Sequence, residues 1–306
     1  MQRTRTIGTR GSPLALYQAR LVQSRLREAD PDTDYVVQVL TTSGDRLTGE
    51  LRDFGGKGLF TRELEEALLD GRIDLAVHSM KDVPTVGHDR LAIPAVFARE
   101  DPRDAFISVR FESIEALPEG AVVGTASLRR RAQLARLRPD VTFCLLRGNV
   151  QTRLKKLEAG VCDATFLAVA GLNRLGETAR IAQAVPVDTM LPAPAQGVIG
   201  VEMRRDDKAL WAVLAELNDR AAELSITAER AFLRALDGNC RTPIAALALP
   251  GEQVHFRGEV LSPDGTLAFA AEDRQALATA GEAYEFGFAL GARLRDDIGG
   301  RITFDA

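Results

Sequence analysis

Cysteine, histidine, lysine and the larger aromatics are scarce: 306 residues hold three Cys, three His, five Lys, one Trp and three Tyr. Cys144, Cys162 and Cys240 are odd in number and widely spaced, which excludes a disulfide framework, and none has the close Cys or His neighbours of a structural zinc site. No apolar run approaches the roughly 18 residues of a membrane span. The basic start, Met1 to Thr6, reaches Gly8, Arg10 and Pro13 before a signal-peptide core forms, so the expectation is a cytoplasmic protein. Low-complexity tracts are absent, and 45% apolar with 27% charged residues is ordinary for a soluble globular chain.

Arginine is abundant instead. Thirty-four Arg stand against five Lys on a chain of net charge −4. Coding drift toward Arg and Ala is one account. A local anion site is the other, since the guanidinium fork matches carboxylate and phosphate. Net negative charge without interleaved aromatics argues against a nucleic-acid binder.

The length fits two or three domains. Thr6 to Thr9 reads as a strand end, and Ser12-Pro13 as an N-cap followed by proline at the first helical position. An apolar stripe through Leu14, Tyr17, Leu21 and Leu26 carries that helix to Asp30-Pro31. Strands at 35–40 and 73–78 flank a glycine-rich loop at 43–58 and a helix at 61–69. This βαβα order implies a mainly parallel sheet with ligands at the carboxyl ends of its strands. The charged stretch Arg99 to Asp104 marks a crossing into a second α/β unit. There Ser127 caps a helix, Val141 to Leu146 and Ala164 to Ala170 read as strands, and residues 150 to 159 as a helix. Gly124-Thr125-Ala126-Ser127 echoes Gly8-Thr9-Arg10-Gly11-Ser12; two such turns facing each other would line a cleft with helix N-termini. Pro192 to Gly197 punctuates a return through a strand at 198–203, and the remainder reads as an α+β tail with a hairpin at Ser262 to Gly265.

Chemistry concentrates in Val77 to Pro84, where polar groups crowd the end of an apolar strand. Asp82 there either sets a turn before Pro84 or serves as a carboxylate that stabilises a cation and exchanges protons. His78 reads as a strand residue. Arg10, Arg129, Arg130, Arg147 and Arg153 fall near strand carboxyl ends, whereas Arg131, Arg136 and Arg138 read as a solvated helix face. Gly55-Gly56-Lys57-Gly58 fails the phosphate-loop pattern, because position 51 is Leu and position 58 is Gly. Cys240, in the polar loop Asp237 to Pro243, is either a bystander or a nucleophile or attachment point.

Seven ordered blocks of this chain resemble the porphobilinogen deaminases, also called hydroxymethylbilane synthases. They are Thr9 to Ala15, Gly55 to Phe60, His78 to Pro84, Arg99 to Asp104, Ser127 to Arg130, Leu146 to Val150 and the Cys240 loop. The resemblance implies a transferase that condenses four porphobilinogen molecules head to tail, with release of ammonia, into the linear tetrapyrrole hydroxymethylbilane for haem-type biosynthesis. It implies a dipyrromethane cofactor, attached by a thioether to Cys240, and no metal. Asp82 matches the catalytic carboxylate, with Lys81 and Arg10 beside it. Ser12, Lys81, Asp82, Ser127, Arg129 and Arg130 match cofactor-binding positions. Arg10, Ser12, Arg147, Arg153, Gln196 and Gly197 match substrate-binding ones. Asp53 and Asn239 depart from the commoner Lys and Gly.

The implied fold is two doubly wound α/β domains like those of periplasmic binding proteins, with a cleft between them, plus a small α+β C-terminal domain. Residues 1–98 with 197–217, 99–196 and 218–306 are the expected divisions. A monomer whose partner is porphobilinogen alone, with neither nucleic acid nor membrane, completes the expectation. A carboxylate-binding module without a covalent group is the competing class, since one scaffold serves many functions.

Overall fold

The computed structural model describes residues 3–42, 58, 61–237 and 242–302. Cys240, Asp53 and most of the 43–58 loop, Lys57 included, lie outside the described residues. By contacts the described chain forms two compact units, one of residues 3–42, 58, 61–100 and 198–223, the other of 101–197, 224–237 and 242–302.

In the first unit, β1 (Arg3–Arg10) turns through Gly11 and Ser12 into α1 (Pro13–Ala29). Ser12 Oγ accepts the Ala15 N–H at 3.3 Å, so the cap and the proline act as their order suggests. β2 (Thr33–Leu40), α2 (Arg62–Leu69), β3 (Leu75–Ser79) and β4 (Leu91–Val96) follow, and β10 (Ile199–Arg204) and α6 (Lys208–Glu216) return to the unit. The sheet order is β2-β1-β3-β10-β4. Ala19, Val22 and Leu26 of α1 and Leu210 and Leu214 of α6 cover one face; Leu64 and Leu68 of α2 cover the other. Burial on both faces makes this a three-layer α/β arrangement.

The second unit repeats that plan. β5 (Asp104–Ser108), β6 (Val122–Gly124), α3 (Leu128–Leu137), β7 (Thr142–Cys144), α4 (Val150–Glu158), β8 (Ala164–Ala168), α5 (Val169–Arg174) and β9 (Gln183–Ala184) build a sheet in the order β7-β6-β8-β5-β9. With the visitor left out of the count in each unit, both sheets place a late or early visitor between the third and fourth strands. β10 runs antiparallel to β3 and β4, and β5 runs antiparallel to β8 and β9. Each visitor is the first strand after the chain passes from one unit to the other, so the mainly parallel expectation needs one reversed strand per sheet. The continuous apolar run at 164–170 also divides differently from the sequence reading. The strand stops at Ala168, and Val169 starts α5 with its N–H on Arg103 O at 3.1 Å.

α7 (Arg220–Ala235) leads to the antiparallel strands β11 (Ile244–Leu249), β12 (Val254–Leu261) and β13 (Ala268–Gln275), joined by the expected turn at Ser262 to Gly265, and then to α8 (Ala280–Ile298). Phe232 of α7, Phe256 of β12 and Phe286 of α8 form the centre of that core, with ring centroids 5.2 and 6.0 Å apart. The second face of β11 is buried too, Ala245 and Leu247 lying against Leu191 and Val187. Among the described residues no helix is long and apolar enough to cross a membrane.

Gly287 and Gly291 let α8 approach α7 closely: a Cβ at Gly287 would overlap Ala228 O, and one at Gly291 would lie 2.6 Å from Phe232 O. Backbone cannot swing aside as a side chain can, so Gly287→Val should cost at least the roughly 1–3 kcal/mol of ordinary overpacking. Thermal unfolding checks this; the midpoint should fall by several degrees, and an unchanged midpoint would mean that the helices separate freely.

Candidate functional site

The first unit gathers its polar residues where β1 and β3 end. Arg10, Ser12, Gln18, Thr61, Ser79 and Asp82 line one cavity. Gln18, buried on α1, donates from Nε2 to Ser79 Oγ at 2.9 Å and so ties the helix to the end of β3. A single 3-10 turn, Met80–Asp82, continues from that strand end. Its seat is a buried Met80, whose N–H bonds Val198 O at 3.0 Å and whose side chain occupies the space a Cβ at Gly200 would need. Asp82 therefore ends a turn and also lines the cavity, and Lys81 stands beside it on the same turn. His78 is a buried strand residue, as read, with Nε2 3.0 Å from Glu202 of β10.

The second unit assembles a different set around Asp104, the first residue of β5. Ser127 caps α3 by accepting the Arg130 N–H at 3.4 Å. That start directs Arg129 and Arg130 inward, where both are almost fully buried. Arg129 Nη1 donates to Asp104 Oδ2 at 2.7 Å and to Leu191 O at 2.8 Å. Arg130 donates from Nε and Nη2 to Asp104 Oδ1, at 3.2 and 2.7 Å, and from Nη1 to Phe166 O at 2.7 Å. Gln196 adds a bond from Nε2 to the same Oδ1 at 3.0 Å and another to Pro102 O at 2.7 Å. Burial pushes the Asp104 carboxyl up, but the two guanidinium groups outweigh it and hold it well below the usual carboxylate range. Burial, together with the charge of Arg130, lowers Arg129 against the pull of Asp104.

Two cations and one carboxylate leave this cluster with a charge of +1, and Arg129 Nε is buried without a hydrogen-bond partner. A buried donor and a surplus positive charge suit a carboxylate-bearing ligand. Arg147 and Arg153 share the turn into α4. Asn149 caps that helix, Arg153 Nε donates to Gly148 O at 2.8 Å, and Lys156 Nζ donates to Arg147 O at 3.0 Å. Gly197, at φ +92°, adopts a conformation that favours glycine, and its carbonyl accepts from Arg174 Nη2 at 2.7 Å.

The structure thus brings Arg10, Ser12 and Asp82 to one cavity with Lys81 adjoining, and Arg129, Arg130 and Gln196 into one buried network capped by Ser127. Cys240 lies outside the described residues. The solvated-face reading holds for Arg131, which is exposed over the Phe143 ring at 5.4 Å. It fails for Arg138, which donates to Ile114 O, Leu117 O and Asp140 at 2.6 to 2.8 Å and staples the 114–118 loop to the end of α3. Arg136 is exposed yet ion-paired to Glu259 of β12. Sequence reasoning passed over Gln18, Thr61, Arg174 and, above all, Asp104 as functional residues. The available signal for Asp104 was one acid directly before the apolar run Ala105-Phe106-Ile107.

The two α/β units thus carry an aspartate lining a cavity in the first and a buried arginine pair in the second. Family models match in two consecutive segments, "Porphobilinogen deaminase, dipyromethane cofactor binding domain" over residues 6–212 and "Porphobilinogen deaminase, C-terminal domain" over residues 223–296. The porphobilinogen deaminase of Paracoccus denitrificans is 53% identical over 303 residues, 98% of this chain and 95% of its own. That of Nitrobacter hamburgensis is 53% identical over 269 residues, 86% and 85% of the two chains. Among solved structures, a putative methionine-binding lipoprotein of Bacillus subtilis overlaps 72% of this chain and 92% of its own at 15% identity and a TM-score of 0.43, too loose a likeness to bear on ligand or fold. The chain belongs to the porphobilinogen deaminase family, transferases of tetrapyrrole synthesis.

The Asp104 cluster also predicts a pH dependence. A carboxylate whose folded value is depressed stabilises the fold fully above its unfolded value, about 3.9, and loses that contribution as pH falls toward the folded value. Asp104→Asn should therefore unfold at a lower temperature than the parent at pH 7, and the gap should narrow below about pH 4. Unfolding midpoints at pH 7, 5 and 3 check this; a gap that stays constant would show that Asp104 gains nothing from its arginines.

Proposed function

We propose that Asp82, Lys81 and the arginines named above carry the family reaction here, the stepwise head-to-tail condensation of porphobilinogen into hydroxymethylbilane. The observation that carries this reading is the shared cavity of Arg10, Ser12 and Asp82. A substrate with two carboxylates and a ring that becomes cationic needs both kinds of partner in one place. Arg10 and the capped start of α1 receive carboxylate, since the guanidinium fork and free helix N–H groups both favour anions. Asp82 accepts the pyrrole N–H of the substrate. Its negative charge then stabilises the positive charge that spreads over that ring as ammonia departs. Lys81 adds a second cation beside Asp82.

In the second unit, Ser127, Arg129 and Arg130 would hold the carboxylates of the dipyrromethane group, with Arg147, Arg153, Gln196 and Gly197 serving the substrate side. Ser12, Lys81 and Asp82 contribute to cofactor binding as well. The surplus charge and the unpartnered Arg129 Nε support that assignment. Bound dipyrromethane, joined through a thioether to Cys240, supplies the pyrrole carbon on which the chain is extended. Within this reading 1–98 with 197–217, 99–196 and 218–306 are three domains of a cytoplasmic monomer.

Intact mass under denaturing conditions tests the attachment. The active protein should carry an adduct that Cys240→Ser abolishes; full activity at the unmodified mass would overturn the cofactor assignment, and a chain with neither adduct nor ammonia release would instead be a carboxylate-binding module. Asp82→Asn should retain the fold and lose ammonia release by a factor on the order of 10² to 10³. Arg147→Leu should stall chain elongation, seen as accumulated partial adducts by mass; parental turnover in that variant would remove it from the carboxylate clamp.

A further inference from the structure

Asp104 opens β5, and its side chain is fully enclosed, so it touches no ligand. Its two oxygens accept four N–H bonds, from Arg129 Nη1, Arg130 Nε and Nη2, and Gln196 Nε2, all within 3.2 Å. Neighbouring arginines in the first turn of a helix repel one another, and each long side chain has many rotamers. Here one carboxylate lies against both guanidinium groups and removes that freedom.

The second hold on each guanidinium is a backbone carbonyl: Leu191 O for Arg129 and Phe166 O for Arg130. Leu191 is itself fixed by Gln133, whose Nε2 donates to Leu191 O at 3.0 Å and whose Oε1 accepts the Leu191 N–H at 2.7 Å. Glu229 of α7, wholly buried, accepts the Ala195 N–H at 2.6 Å and the Ala248 N–H at 2.7 Å. Ala195 has a left-handed backbone at φ +62°, and Gln196 follows it directly onto Asp104. Asp104, Leu191 O and Phe166 O hold the arginine pair directly, while Gln133 and Glu229 hold the backbone beside Leu191 and Gln196.

We propose that Asp104 is a positioning residue, fixing the guanidinium groups of Arg129 and Arg130 in one arrangement so that their remaining donors meet a ligand carboxylate without rearrangement. This rests on the assignment of those two arginines to the dipyrromethane carboxylates. Arg129 Nε is buried without a partner, so it adds positive charge behind the ligand rather than a direct bond. A preorganised pair binds an anion without the rotamer loss that two mobile side chains would incur. A purely structural ion pair would contribute to folding alone.

The test combines Asp104→Asn, Asp104→Glu, the double variant Arg129→Gln/Arg130→Gln and the triple variant, each isolated as full-length protein. Thermal unfolding confirms the fold, intact mass gives the fraction carrying the adduct, and steady-state kinetics give KM and kcat. Asp104→Asn should unfold cooperatively, carry less than a third of the parental adduct and show a KM raised at least tenfold in the loaded fraction. Asp104→Glu keeps the charge but advances the carboxyl by one methylene, so it should regain the fold while KM stays raised at least threefold. The triple variant should be no worse than the double variant.

Parental adduct and KM in folded Asp104→Asn would overturn the proposal, as would full recovery of KM in Asp104→Glu or losses that multiply in the triple variant. If Asp104→Asn does not fold, the Asp104→Glu result decides. If the double variant itself keeps full adduct and KM, the arginine assignment fails instead, whatever Asp104 does.

Discussion

Burying two guanidinium groups beside one carboxylate is the constraint around which the second unit is arranged. Charges cannot leave water unless paired and hydrogen-bonded, and each partner here comes from a different part of the chain. Asp104 begins β5, the arginines begin α3, Phe166 lies in β8, and Leu191 and Gln196 belong to the stretch that leads out of the unit. Replacing the cluster with apolar residues of equal volume need not weaken such a core, so stability alone is a poor reason for it. Its surplus positive charge makes sense once a carboxylate-bearing ligand is considered.

The first unit solves the complementary problem. In the reaction proposed above, Asp82 has to lie near the substrate ring without being neutralised by the cations that would hold the substrate carboxylates. Asp82 sits on a short turn raised on the buried Met80, while Arg10 and Ser12 arrive from the end of another strand. Gln18 links the two ends through Ser79. Positive and negative groups thus share a cavity on separate backbone supports, and each keeps its own orientation.

Much of this is legible in the amino-acid sequence. Ser12 and Ser127 announced helix starts through cap chemistry, which is local, and Arg10, Asp82, Arg129 and Arg130 stood at strand ends where ligands collect. The direction of a strand is not local. Nothing in the apolar run at 199–204 distinguishes a parallel from an antiparallel neighbour, so the reversal of β10 within its sheet is not legible, and β5 at 104–108 was not read as a strand at all. Arg138 was misread for a related reason: its carbonyl partners at Ile114 and Leu117 are more than twenty positions away, and a helical wheel shows only the helix. Asp104 was hidden by its own charge, since an acid before an apolar strand resembles a loop residue until two buried arginines are found against it.

The placement of β10 has a consequence for synthesis. β3 and β4 are separated in the finished sheet by a strand whose last residue, Arg204, follows the end of β4 at Val96 by more than a hundred residues. At translation rates of about 5–20 residues per second, on the order of 5–20 s pass between the emergence of the gap and the strand that fills it. During that interval the nascent chain presents two unpaired apolar edges while the whole of β5 to β9 is being made. The second unit, whose visiting strand β5 precedes the strands it joins, has no such wait, so the later-made sheet can close before the earlier one.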